Sequence, residues 1–360
     1  MTRKTNTKTN TKANGRSRLI KALCAMTVCL MLALTMTACG GSGSSDSGDE
    51  SIGSMTKITF CLDWTPNTNS TGIYVAQSLG FYEEAGLEVE VVQPPEDGSI
   101  TMCAAGQAQM SGTAQDSLAK AFDTTDDMAV TAVAALLQHN TSGIMSRAGE
   151  GMDTPKGLEG KTYSTWQDPT EIAMIQNVME KSGADFNKLT MIPNDITDEP
   201  AALKAKQTDA IWVYYGWGGI NAEVEKVDCD FWFFKDFDEA LDYYTPVIIA
   251  NDQWLKDSPD TAKAFLEATA KGYEYAVKNP EEAADMLIAG DNTGSLAGCE
   301  DLVYKSQKWL NDQYIADAPQ WGYIDEQRWN DFYKWLYDEG LTKTDLTGKG
   351  FTNEYLPAGK

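Results

Sequence analysis

KITFCLDWTPNTNSTGIYVAQSLGFYEEAGLEVEVV, residues 57–92, decides the fold class. Residues 57–62 form an apolar run that reads as a strand. Residues 63–70 are a polar cluster around one large ring, Trp64. A helical pattern follows over 71–79, and LEVEVVQ, 87–93, reads as a second strand. Strand, helix, strand in that order calls for a parallel sheet with helices on its faces. In such sheets ligands gather at the carboxyl ends of the strands. Residues 63–70 lie at one of those ends, so they form the first candidate binding segment.

The alternation continues outward through ITMCAAGQ (100–107), AQMSG (108–112), QDSLAKAF (115–122), MAVTAVAALLQ (128–138) and SGIMSR (142–147). A second set opens with the strand KTYST (161–165). The helix after it has Asp168 as N-cap, Pro169 in the first turn, Glu171 three residues beyond the cap and Gly183 at the stop. LTMI (189–192), EPAALKAKQ (199–207), TDAIWVYY (208–215) and FWFF (231–234) continue it, with FWFF read as a buried strand. YYTPVIIAN (243–251) reads as a return strand. Residues 252–340 are mostly helical, with an apolar stripe at Phe265, Ala268, Tyr273 and Ala276. Two such sets predict two lobes. The division is 56–145 for the first part of lobe one, 146–246 for lobe two, and 247–360 for the second part of lobe one. The crossover strands fall at 142–147 and 245–251.

The chain has 360 residues, enough for two lobes, and 42% apolar content, enough for packed cores. Its formal net charge is −24, which excludes nucleic acid as a partner, since that requires a basic face. Residues 1–38 hold seven basic and no acidic residues, so the remainder carries about −31. That segment is basic and polar, then apolar over ALCAMTVCLMLALTMTA, and ends in small residues before Cys39. It resembles a bacterial lipoprotein signal, which implies cleavage after residue 38 and lipid attachment at Cys39. Residues 39–55 form a Gly/Ser/Asp-rich tether able to reach ~20–25 Å. The expectation is an extracytoplasmic protein, lipid-anchored at the cell membrane.

Cys61, Cys103, Cys229 and Cys299 form no CxxC motif and allow three pairings; buried free thiols are the expectation. His139 is the single histidine, which excludes a His-based metal site. It reads as a structural residue.

Several segments carry a family resemblance: CLDWTPNTNSTGIYVAQSLGFYEEAGLEVEV, ALLQHNTSGIMS, GLEGKTYSTWQDPTE, TDAIWVYYGWGGINAE and TPVIIANDQWLKDSPDTAKAFLEA. In this order they resemble the substrate-binding lipoproteins of ABC importers for thiamine pyrimidine precursors, such as formylaminopyrimidine. The DWxPNxN segment is the most specific of them. The resemblance spans about 56–356. It implies a type II periplasmic-binding-protein fold, an α/β architecture of two lobes with mostly parallel sheets joined by two crossover strands. It further implies a ligand in the cleft, permease and ATPase subunits as partners, and a monomer. The pyrimidine-contacting pair falls on Asp63 and Trp64, the polar positions after it on Asn67 and Asn69. The next lobe's loop falls on Trp166 and Asp168, and its aromatic segment on Tyr215 and Trp217. The same resemblance implies an acid where this chain has Gly218, and in many relatives a histidine where it has Ser70.

The residues support these roles chemically, and each also has a plain structural use. Trp64 can stack on a flat ring, or fill a core. Asp63 can accept two N–H bonds from an aminopyrimidine edge, or form a turn before Pro66. Asn67 and Asn69 can donate and accept, or shape an Asx turn. Asp116 opens a helix facing the cleft, or simply caps it. Trp166 is a cleft wall beside free helix N–H groups. Tyr214, Tyr215 and Trp217 stand beside three glycines that allow close backbone approach; Tyr243 and Tyr244 are weaker versions near the crossover.

Three functions compete. The first is capture of a planar heteroaromatic, either a thiamine pyrimidine precursor or riboflavin or another aromatic solute. The second is the pyrimidine-synthesising enzyme of the same fold. That enzyme implies a cysteine-rich cluster, with a lysine and a histidine before the third helix. The corresponding stretches here read EALDYYTPVII (239–249) and SGTAQDSLAKA (111–121), without the cluster and with Asp116 about where the histidine would stand. The third is a solute sensor docking a receptor. The expectation is a binding protein, not an enzyme, with no cofactor and no metal.

Overall fold

A computed structural model describes residues 55–124, 128–194 and 196–358. The leader, Cys39 and the tether as far as residue 54 lie outside the described residues.

The opening stretch folds as β1 (Thr56–Cys61), α1 (Thr71–Ser78), α2 (Phe81–Glu84) and β2 (Leu87–Val92), with β1 and β2 parallel. Then come α3 (Ser99–Ala104), β3 (Met110–Thr113), α4 (Gln115–Phe122) and β4 (Val130–Ala135). The second set is β5 (Ser142–Arg147), β6 (Thr162–Thr165), α5 (Pro169–Lys181), β7 (Thr190–Pro193), α6 (Glu199–Lys204), β8 (Ala210–Tyr214), α7 (Ile220–Val224) and β9 (Cys229–Phe233). The chain returns through β10 (Val247–Asn251) and ends in α8 (Asp252–Asp257), α9 (Pro259–Lys278), α10 (Pro280–Gly290), α11 (Glu300–Leu310) and α12 (Glu326–Asp338).

Two five-stranded sheets result, in the orders β2-β1-β3-β10-β4 and β7-β6-β8-β5-β9. One strand in each runs against the rest: β10 is antiparallel to β3 and β4, and β5 to β8 and β9. Each of these is the strand the chain forms on arrival from the other lobe. The other strands point their carboxyl ends at the cleft, so a chain entering from the cleft must run the opposite way. The crossing segments themselves are 136–141 and 234–246, and the strands expected at the crossovers begin where these segments end.

β10 is buried along its whole length, VIIAN, as befits a strand covered on both faces. The stripe on α9 (Phe265, Ala268, Tyr273, Ala276) is buried too. α1 meets α9 backbone to backbone: a Cβ on Gly272 would sit 2.0 Å from the Gly72 carbonyl oxygen, and one on Gly72 would sit 2.2 Å from the Tyr273 ring. α5 carries the expected capping box, with Asp168 accepting from Thr170 N–H at 2.8 Å and Glu171 from Asp168 N–H at 3.3 Å.

FWFF differs from expectation. β9 is an edge strand, with Trp232 and Phe234 buried and Phe231 and Phe233 only half-buried. The four cysteines among the described residues are free; Cys61 and Cys103 are buried, whereas Cys229 and Cys299 are only partly so. His139 ties the two crossings together. Its Nδ1 lies 2.6 Å from Asp242 and its Nε2 3.1 Å from Asp317, while Asn140 bonds Asp242 and the Leu241 carbonyl.

Candidate ligand cleft

The carboxyl ends of both sheets open onto one cleft of about 870 Å³. From lobe one, Asp63 and Trp64 follow directly from β1. Gly112 on β3 lies against Asp63: a Cβ there would stand 3.1 Å from the Asp63 nitrogen. Asp63 lines the cleft, half-buried. Burial pushes its carboxyl above the ordinary range, against the pull of the Asp63 and Trp64 N–H groups. Asn67 and Asn69 also line the cleft, but Asn67 is consumed by its own turn. Its Oδ1 accepts from Asn69 N–H at 2.9 Å, and its Nδ2 donates to the Thr65 carbonyl at 2.9 Å. The Asn69 side-chain amide makes no hydrogen bond among the described residues.

From lobe two come Trp166, Tyr214 and Trp217. Trp166 precedes Gln167, whose φ of +65° is left-handed; such strain is retained where the surroundings demand a particular turn. Tyr215–Gly219 is a single π-helical turn, a local irregularity frequent at functional sites. Its glycines are required by space. A Cβ on Gly218 would stand 2.8 Å from the Val213 Cβ, and one on Gly219 2.6 Å from the Tyr215 ring.

The exposure of these rings is unusual for the chain. Trp64 is 55% exposed, Trp166 49% and Tyr214 40%. Most large apolar side chains elsewhere are buried, and these three share one cleft.

Five expected residues lie off the cleft wall: Tyr215, Tyr244 and Asp116, together with Asp168, which caps α5 and pairs with Lys120, and Tyr243, which is buried against Phe332. Tyr215 packs on Phe231 and Trp309, at ring distances of 4.9 and 5.1 Å, and its hydroxyl donates to Glu223 at 2.7 Å. Side chains alternate along β8, so at its end Tyr214 takes the cleft side and Tyr215 the other. Tyr244 is core: its N–H donates to Gln115 at 3.0 Å and its hydroxyl accepts from Asp325 N–H at 2.8 Å. Its successors Thr245 and Pro246 reach the cleft instead. Asp116 is not on the cleft wall, although Ser117, Lys120 and Ala121 of the same helix line it. Among the described residues its buried Oδ1 has no hydrogen-bond partner, and burial raises its pKa although the Lys120 charge opposes this.

Sequence reasoning missed Glu199 and Lys120, both on the cleft wall. Glu199 follows the cap Asp198 and reads as an ordinary first-turn acid. Lys120 reads as a solvated helix lysine, yet it pairs with Asp168 across the two lobes. A second tie runs from Thr68 through Ser306 (Oγ1 to Oγ, 2.5 Å) to the Gly216 carbonyl. It joins a cleft-lining residue of each lobe through α11.

A sequence profile described as NMT1/THI5 like matches residues 67–283, more than half of the chain. The chain belongs to the NMT1/THI5-like family. Within reach of this NMT1/THI5-like chain is the formylaminopyrimidine-binding protein of Halalkalibacterium halodurans, 26% identical over 314 residues, covering 85% of this chain and 91% of that one. A 4-amino-5-hydroxymethyl-2-methylpyrimidine phosphate synthase of Saccharomyces cerevisiae is 26% identical over 256 residues, covering 63% of this chain and 69% of that one. Among solved structures, the periplasmic nitrate-binding protein of Synechocystis superposes with a TM-score of 0.62 at 14% identity, covering 84% of this chain and 87% of that one. The fold is therefore that of the periplasmic binding proteins, as the resemblance implies. At that identity the likeness carries the fold alone.

Proposed function

We propose that this protein is the extracytoplasmic solute-binding component of an ABC importer. It captures a small planar heteroaromatic, most specifically a thiamine pyrimidine precursor, between its two lobes. One observation carries this reading: exposed rings from both lobes, Trp64 on one side and Trp166 and Tyr214 on the other, meet in one cleft. A flat ligand closing between them buries apolar area and gains stacking. The name of the 26%-identical relative supports the pyrimidine. The roles of Asp63, Asn69, Trp166 and Trp217 as ligand contacts belong to this proposal, as does the division at 56–145, 146–246 and 247–360. So do a monomeric state, the leader, and a lipid anchor at Cys39 that presents the protein to permease and ATPase subunits.

One observation favours a second reading of the ligand. A cavity of about 870 Å³ lies near the upper end of small-molecule sites, roomy for a single pyrimidine ring and suited to a fused-ring solute such as riboflavin. The synthase relatives keep an enzymatic reading in view, but the cleft's chemistry is that of holding a ring.

Thermal unfolding of the purified chain with formylaminopyrimidine, hydroxymethylpyrimidine, thiamine and riboflavin tests the reading. A ligand at 100 times its Kd adds about 2.7 kcal/mol to the folded state. A rise in Tm with a pyrimidine is expected; a rise with riboflavin alone moves the ligand, and no rise with any rejects the heteroaromatic.

A further inference from the structure

We infer that Glu199 is the specificity-determining residue of lobe two, selecting ligands that present N–H groups or positive charge and turning anions away. This rests on reading the cleft as the ligand site.

The argument begins with the charged side chains on the cleft wall. They include three acids, Asp63, Asp97 and Glu199, and one base, Lys120. Lys120, the one base, already has its charge partly offset by Asp168 across the two lobes, so it offers an anionic ligand less than a lone lysine would. The acids are not neutralised in return: among the described residues neither Asp63 nor Glu199 has an ion-pair partner. Glu199 is not needed to hold its own helix. Asp198 caps α6, accepting from Ala201 N–H at 3.0 Å. Glu199 is half-buried on the wall, where burial pushes its carboxyl up and only its own backbone N–H draws it down. A carboxylate kept in a partly desolvated place with no cation beside it has acceptor capacity left for a donor. The neighbouring π-helical turn cannot supply that acceptor, because residues 216, 218 and 219 are glycines and a side chain at 218 would collide with Val213. Among the described residues lobe one thus offers the half-buried Asp63 and the exposed Asp97, and lobe two offers Glu199, all without an ion-pair partner. A ring bearing an exocyclic amine or a protonated nitrogen satisfies such acceptors through charge-assisted bonds. A phosphate or carboxylate brought into the same low-dielectric space is repelled. The fold does not impose this sign, since a nitrate-binding protein shares it; the side chains do.

The test uses two matched pairs of ligands on the purified chain and on Glu199→Gln, with titration calorimetry and tryptophan fluorescence. The first pair is 4-amino-5-hydroxymethyl-2-methylpyrimidine and its phosphate monoester. The second is benzamidine and benzoate, flat rings of opposite charge that do not presuppose a pyrimidine. Wild type is expected to prefer the uncharged aminopyrimidine over its ester and benzamidine over benzoate. Glu199→Gln is expected to weaken the preferred member by about 10- to 100-fold and to narrow both preferences, with an unchanged melting temperature. Equal binding within both pairs, no binding by benzamidine, or an unaltered preference in Glu199→Gln overturns the inference. If the pyrimidine fails to bind while the benzamidine preference persists and depends on Glu199, the inference stands and the pyrimidine reading falls.

Discussion

Trp64→Ala separates binding from folding more cleanly than any other change to the cleft. The side chain is 55% exposed and follows β1 rather than lying in it, so its removal leaves little unfilled core. A tryptophan presents ~200 Å², of which roughly 110 Å² stays open here. A flat ring laid on one face covers about half of that, ~55 Å². At ~25 cal/mol/Å² this burial is worth ~1.4 kcal/mol. Stacking adds ~0.5–1.5 kcal/mol, so the variant loses ~2–3 kcal/mol of binding, a 30- to 150-fold rise in Kd. Titration calorimetry with the ligand identified by thermal shift measures this directly, and the melting temperature without ligand controls for folding. An unchanged Kd in a well-folded Trp64→Ala protein refutes the stacking argument and with it the placement of the ligand against β1.

Three further outcomes follow from the packing and the charges. Gly72→Ala places a methyl 2.2 Å from the Tyr273 ring; α1 and α9 must separate, lowering stability by ~1–3 kcal/mol, read by chemical denaturation. Lys120→Met removes the tie to Asp168 but leaves the cap on α5. Since Lys120 is half exposed, such a pair contributes ~0–1 kcal/mol, so the ligand Kd rises by less than about fivefold while small-angle scattering shows a more open unliganded protein. Burial tends to raise the Asp242 pKa, but His139, the Asn140 N–H and Arg328 outweigh it and hold the carboxyl below its ordinary value. A depressed acid stabilises the fold fully above its unfolded pKa, ~3.9, and loses that contribution as pH falls through the folded value. Tm measured against pH is expected to fall below about pH 4, and more shallowly in Asp242→Asn, which starts lower at neutral pH.

Much of the architecture was legible because it is written in local signals. The strand at 57–62 and the helix at 71–79 stand on hydrophobic period. The capping box at Asp168 and Glu171 stands on hydrogen bonds between residues three apart. Of the stretch read as a return strand, 243–251, the strand itself is Val247–Asn251, where an unbroken apolar run, residues 247–250, follows Pro246. The place of Asp63 and Trp64 on the cleft wall was legible for a related reason: they directly follow a strand, at the carboxyl end that opens onto the crevice of such a sheet.

What the sequence could not carry is direction and company. Tyr214 and Tyr215 have the same chemistry one position apart, and the end of β8 sends one to the cleft and the other to Phe231 and Trp309. Tyr244 reads like a cleft aromatic until Gln115 and Asp325, far away in sequence, claim its polar atoms. Glu199 reads like any first-turn acid, and Lys120 like any helix lysine, until the two lobes face each other. Sequence alone determines which segments become strands, helices and caps, since those depend on neighbours a few residues away. Which side chains share the cleft, and whether a charge there is paired, is decided by the tertiary structure, because contacts across it depend on strand register and on where the two crossings at 136–141 and 234–246 set one sheet against the other.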